Sequence, residues 1–350
     1  MTVVAGKTRM SGFPVNAAGD YLVALAYNET TRTITITPTG ADFKVYVDGV
    51  EYTKVGAQSI AHGAQQGGHF IYYDNTGALV SSQTPWDLRQ TAPVAFVFWD
   101  ATNSRAIPFF ELHHAGRDVW LHQRLHEVDG TQVVSGFAAS GFTLNDGTTD
   151  AAVTYSIGSG VLADEDIRVT TQALADGGPY HILERVGASG DWQITRANTL
   201  PFLHAANVLQ YNQFTGATWQ RTNVPEDNFV NYWVFAIPAL PTTGITPAPS
   251  ATPQIVIVPG QAVYATEALA HGETPASLAW GSMPFQEIAP LYQVTLRFNA
   301  SNPAAFANTA RCAIARLVRV VGTRASITAA AFRFMPPSMH ACMSIRRCQN

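Results

Sequence analysis

Lysine is nearly missing from this chain: Lys7, Lys44 and Lys54 stand among 21 basic residues, and the others are arginine. Charge of either sign is sparse, at 13% of residues, about half the share in an average soluble domain. The net charge of −4 argues against a nucleic-acid binder, since such proteins carry a basic face and usually a basic balance. Cysteine is scarce as well: Cys312, Cys342 and Cys348 are an odd number with no Cys-x-x-Cys pair. They form neither a disulfide framework nor a thiolate zinc site, and they suit synthesis in a reducing cytosol. The longest apolar run, Tyr21–Tyr27, is far shorter than the roughly 20 residues that span a bilayer, so no membrane insertion is expected. The opening stretch Met1–Val15 has no apolar core of a signal peptide. P-loop, dinucleotide-binding and serine-elbow motifs are also missing, so no cofactor and no catalytic nucleophile are expected.

What is present builds cores. Hydrophobic residues make up 47% of 350 and aromatics 11%, which excludes a disordered chain and allows two or three domains. The strand signal dominates. Thr31–Thr37 alternates polar and β-branched residues, and Asp48-Gly49 between two β-rich runs is a strong hairpin signal. Val94–Trp99 has the continuous apolar text of a fully buried strand, with Ala106–Phe110 as its return. Further hairpins are predicted at 180–195 and 208–221, and strands at 230–236, 255–258, 292–298 and 310–321. A helix is expected over Asp118–Glu127, capped by Asp118, with Trp120, Leu121 and Leu125 packed beside a sheet. An Ala-rich stretch at 262–279 is a second helix candidate, interrupted by Gly272 and Pro275.

The expected fold is mainly β: sandwich-like domains of short antiparallel strands with one or two short helices. The expected divisions are an N-terminal arm at 1–19, a sandwich at 20–145, a second β region at 146–237, a Pro-rich linker at 238–253, a mixed β/α region at 254–325 and a tail at 326–350.

Two constellations could carry chemistry. His122 and His126 lie one turn apart on the predicted helix, and such a pair could take zinc with Glu111 or His113 as a third ligand. Gln123 stands where a metalloprotease has its glutamate, and the plainer expectation is histidines half-buried beside a sheet, bonded to backbone carbonyls. Asp164-Glu165-Asp166 and Glu226-Asp227 are carboxylate pairs of the kind glycan cleavage needs, here expected to be solvated turn residues. The charge is also uneven. No acidic residue follows Glu287, so the last 63 residues are +8 and the remainder −12. Arg311, Arg316, Arg319 and Arg324 are therefore candidates for an interface with an acidic neighbour.

Three ordered stretches resemble tail-fibre and baseplate-associated proteins of tailed bacteriophages. The first is Ser82–Trp99 (SQTPWDLRQTAPVAFVFW) with Phe109–His114 (FFELHH) and His122–His126 (HQRLH). The second is Asn231–Ala236 (NYWVFA) with Ile255–Gln261 (IVIVPGQ), and the third is Met283–Gln293 (MPFQEIAPLYQ). The resemblance covers roughly residues 30 to 325. It implies a non-enzymatic virion protein, β-rich and made in the host cytoplasm. It also implies a homo-oligomer, usually a trimer, that assembles with other tail proteins and supports or carries out attachment to a host-surface glycan. A tailspike-like glycan depolymerase and a non-catalytic carbohydrate-binding module are the alternatives.

Overall fold

A computed structural model of the protein describes residues 10–116, 118–141, 154–206, 208–240, 242–243, 254–283, 287–299 and 309–316. The protein is mostly β, with many short antiparallel strands in several sheets, two short α-helices, and no closed barrel among the described residues.

The N-terminal part contains β1 (Val23–Asn28), β2 (Thr33–Pro38), β3 (Asp42–Val47), β4 (Val50–Val55), β5 (Gln58–Ala61), β6 (Gly67–Tyr73), β7 (Leu79–Ser82), β8 (Ala92–Asp100) and β9 (Arg105–Phe110). The Asp48-Gly49 signal is realised as the turn of the β3–β4 hairpin, with φ of 48° and 80° at the two residues. β6, β7, β8 and β9 form a four-stranded sheet in the order β7-β6-β8-β9. Every residue of β8 is buried, because the sheet is covered on both faces. Ala95, Val97 and Trp99 point into one core with β1, β2 and β3, while Phe96 and Phe98 point into another.

Next come α1 (Val119–Val128), β10 (Thr131–Gly136), β11 (Ala139–Ser140), β12 (Ser156–Ile157), β13 (Gly160–Asp164) and β14 (Ile167–Thr171). Asp118 caps α1 by accepting from the Trp120 N–H at 3.0 Å, as the sequence predicts. The face of the helix is not the predicted one: Trp120 and Leu121 are exposed, and His122 is the buried side chain. Trp120 lies against the Arg89 guanidinium, 5.4 Å from its ring centre.

The last part contains β15 (Tyr180–Val186), β16 (Asp191–Asn198), β17 (His204–Ala205), β18 (Val208–Phe214), β19 (Trp219–Asn223), β20 (Phe229–Ala236), β21 (Thr242–Thr243), β22 (Ile255–Pro259), α2 (Glu267–His271), β23 (Ala289–Phe298) and β24 (Thr309–Arg316). Six of these strands form one mixed sheet in the order β16-β15-β22-β20-β23-β24, parallel only between β15 and β22. One face packs Leu183, Trp192, Trp233, Phe235, Val256 and Val258 against Phe96, Phe98 and Phe109 of the four-stranded sheet. The other face, with Ile182, Tyr232, Val234, Ile257 and Val294, covers a third core shared with β10, β13 and β18. Three apolar cores thus separate successive β layers. The alternation of side chains along β20 and β22 feeds two cores at once, which explains their unbroken apolar text.

This layering changes the expected divisions. The boundary at 238–253 falls inside a single sheet, because β22 after it inserts between β15 and β20 before it. The proline-rich segment begins as core: Leu240 is fully buried and its N–H donates to the Pro108 carbonyl at 2.8 Å. The boundary at 145 is likewise crossed by the β10-β13-β14 sheet. The expected free arm at 1–19 is tied down from Met10 onward. Phe13 is buried, and its N–H donates to the His113 carbonyl at 2.8 Å. Arg319, Arg324, Cys342, Cys348 and the tail at 326–350 lie outside the described residues.

Candidate functional site

Four segments far apart in sequence converge beneath α1. The chain leaving β9 brings Glu111 and His113. α1 brings His122 and His126 from successive turns of one face. The two-residue turn joining β13 to β14 brings Glu165 and Asp166, with Asp164 at the end of β13, and the lead-in to β23 brings Glu287. The turn is tight because Asp164 and Ile167 are paired across it, and Glu165 takes the left-handed conformation with φ of 51°.

The centre is enclosed. The side chains of Glu111, His113, His122, Glu165 and Glu287 are at most 4% exposed, and that of His126 is 23% exposed. Glu165 sits in the middle. Its Oε2 is 3.0 Å from His122 Nε2 and 3.5 Å from His113 Nδ1, and its Oε1 is 3.2 Å from His126 Nδ1. His126 Nε2 is 3.2 Å from Glu287 Oε1, and His113 Nε2 is 3.4 Å from Glu111 Oε2. Asp166 braces the arrangement: its Oδ1 meets His113 Nδ1 at 2.8 Å, and its Oδ2 accepts the His114 N–H at 2.9 Å.

Electrostatics spread the proton affinities. Burial pushes Asp164 up to about 7, with repulsion from Glu111 adding to it. Burial and the neighbouring Asp164 likewise push Glu287 well above the usual carboxylate range. Against burial, the adjacent His122 and His126 hold Glu165 down at about 2. Burial also opposes a charge on His113, but its contacts with Asp166 and Glu111 raise it well above an ordinary imidazole. His122 is pushed down by burial and by the charge of His113.

Two donor sets result. His113, His122 and Glu165 each offer one atom, all within 4.8 Å of one another, and Glu111, His126 and Glu287 do the same. Both sets could hold a metal ion. His126 also lines a cavity of about 470 Å³ with Phe70, Trp86, Asp87, Arg89 and Glu127, which connects the edge of the centre to the outside.

The predicted pair His122 and His126 does share one helix face, and Glu111 and His113 are brought to it. The expectation that these helix histidines bond backbone carbonyls is corrected: carboxylates surround them. The expectation that Asp164-Glu165-Asp166 is a solvated turn is also corrected, since Asp164 is 1% exposed and the Glu165 side chain is enclosed. Glu287 was not singled out by its local sequence. The signal for all of them was the histidine face of α1, which needs buried acids opposite it. Glu226 and Asp227 stay apart from this centre, and Asp227 pairs with Arg297 at an exposed position. Among the arginine candidates, Arg311 and Arg316 fall on β24, the last strand of the six-stranded sheet, where they pair in register with Leu296 and Tyr292. No family model, curated protein or solved structure matches this chain.

Proposed function

We propose that the protein is a structural component of a tailed-bacteriophage virion, a tail-fibre or baseplate-associated protein that oligomerises and supports or carries out host attachment. The observation that carries this reading is the edge of the six-stranded sheet. β24 has no partner strand on its outer side among the described residues, and it lies within the acid-free region after Glu287, with Arg311 and Arg316 in its sequence. An unpaired edge bearing one sign of charge is a template for a neighbouring chain. The enclosure of the histidine–carboxylate centre within packed elements also fits a load-bearing body better than an open catalytic cleft.

Light scattering with negative-stain imaging tests the reading. The expected result is an elongated or three-fold particle near three times 37.7 kDa. A charge-reversed R316E/R319E chain should fail to enter particles; unchanged incorporation refutes the role given to the arginines. A compact monomer that releases reducing ends from host polysaccharide refutes the structural role itself. Glycan binding is the second reading, favoured by the cavity in which Trp86 and Phe70 stand beside Asp87, Arg89 and Glu127. Retention of an isolated monomer on host glycan would support it.

A further inference from the structure

The geometry points to a structural metal centre beneath α1: His113, His122 and Glu165 hold one divalent transition-metal ion, and Glu111, His126 and Glu287 form the seat of a second, with the Glu165 carboxylate facing both. This goes beyond the proposed virion role and does not rest on it.

Three independent features lead here. The first is spacing. Bonds of about 2.0–2.2 Å from a cation to nitrogen and oxygen place neighbouring donor atoms roughly 2.9–3.5 Å apart. The 3.0 Å between His122 Nε2 and Glu165 Oε2 in the first set and the 3.2 Å between His126 Nε2 and Glu287 Oε1 in the second fall in that range.

The second is lack of partners. Both Glu165 oxygens, both Glu287 oxygens, Glu111 Oε1, His122 Nε2 and His126 Nδ1 are buried without a hydrogen bond. The closest of them approach to 3.0–3.2 Å. Buried polar atoms left so are rare, and about half of those among the described residues lie at this centre, the two Asp164 oxygens included.

The third is charge. Five carboxylates (Glu111, Asp164, Glu165, Asp166, Glu287) crowd around three histidines in a nearly dry interior, a gathering of like groups that protons or cations must compensate. Dications do so while leaving the histidines neutral as ligands. Asp166 holds His113 through Nδ1 and also accepts the His114 N–H, an outer brace that leaves Nε2 as the ligating nitrogen of His113.

Nitrogen and carboxylate donors without thiolate select the zinc, iron(II) and manganese(II) class. Access is through the cavity at His126. The ions would tie α1 and the segment after β9 to the β13–β14 turn and to β23, and so join the N-terminal layers to the six-stranded sheet.

The test uses the full chain, stripped with a chelator and dialysed against zinc, with metal content read by mass spectrometry. The expected result is two zinc ions per chain, a melting temperature that rises by several degrees on loading, and visible d–d bands when cobalt(II) replaces zinc. H126A, at the half-exposed rim, should keep the fold and lose one ion. E165Q with H122N should lose both. One ion in the wild type would overturn the second seat. A folded wild-type chain that takes up no zinc, iron(II) or manganese(II), or uptake unchanged in E165Q/H122N, would overturn the centre altogether.

Discussion

One tie between the N-terminal layers and the six-stranded sheet is ionic, and it can be cut from either side. Glu29, in the turn after β1, meets Arg196 of β16 across 167 positions of sequence in a two-pronged pair of 2.7 and 2.9 Å. Both side chains are only 3% exposed. The pair grips the backbone of one residue: the Ala106 N–H donates to Glu29 Oε1 at 2.7 Å, and Arg196 Nη2 donates to the Ala106 carbonyl at 2.7 Å. Removing one partner of a buried pair costs about 3–5 kcal/mol, since the other charge stays behind without compensation. Arg196→Met should fall near the lower end, about 3 kcal/mol, because Arg105 stands 3.8 Å from Glu29 and inherits part of the pairing. Glu29→Gln should cost about 4 kcal/mol, because a guanidinium cannot shed its proton and no second acid replaces the first. Replacing both residues by methionine should cost less than either single change, as no buried charge is then stranded. The assay is urea unfolding at pH 7, in low salt and in 0.5 M salt. At a slope of ~3 kcal/mol/M the single variants shift the midpoint by about 1 M, with little salt dependence. A loss of under about 1 kcal/mol for Arg196→Met, or a double variant whose cost is the sum of the singles, would refute this account.

Other perturbations follow from the same coordinates. Gly12 has φ of 125°, and an added Cβ would lie 2.3 Å from the His113 carbonyl oxygen, so Gly12→Ala should cost about 1–3 kcal/mol in thermal unfolding; a neutral result would mean that the N-terminal segment does not pack there. Burial lowers His181 to about 4 from an ordinary value near 6.5, so the unfolded chain binds the extra proton between those pH values. Its contribution is constant above pH 6.5 and falls as pH drops, by about 2 kcal/mol at pH 5. His181→Asn should therefore flatten the decline of the urea midpoint between pH 7 and pH 5, and parallel declines in variant and parent would contradict it. His126→Ala removes the contacts to Glu165 and Glu287, so the amides of α1 should exchange with deuterium at least tenfold faster, roughly 1.4 kcal/mol of local stability, while β8 keeps its protection. Equal acceleration in β8 would show that α1 opens only with the whole fold.

Local signals translate into accurate elements wherever the physics is local. Asp48-Gly49 specifies a turn by backbone freedom, Asp118 specifies a helix start by its side-chain oxygen, and the apolar run in β8 specifies burial on two faces. The placement of strands across the chain was not legible, because the partner of β22 depends on which sheet has an open edge and not on the residues of β22 itself. The polar face of β23 shows the same limit. Gln293 and Thr295 alternate with apolar residues as if solvated, yet both are buried, where Thr295 donates to Asn231 Oδ1 at 2.8 Å and Gln293 to the Ala270 carbonyl of α2. The acids of the buried centre were hidden for a related reason: a carboxylate in a turn has the same sequence whether water or a helix covers it.

Helix α1 is where these two levels meet. A ten-residue helix is marginal by itself and usually docks through an apolar stripe. Here Trp120, Leu121 and Val128 are 59%, 48% and 70% exposed, while the buried contacts are made by His122 and His126. Hydrophobic burial therefore holds this helix only weakly, and its position depends on the Asp118 cap and on the charges beneath it. Those charges come from three other segments, the chain after β9, the β13–β14 turn and the lead-in to β23, so the seat of the helix is built by all three. The histidines fasten the helix to the β body. Whatever compensates the acids below, protons or metal, sets how firmly α1 is held against the β body, which the Glu29–Arg196 pair and the apolar core join without it.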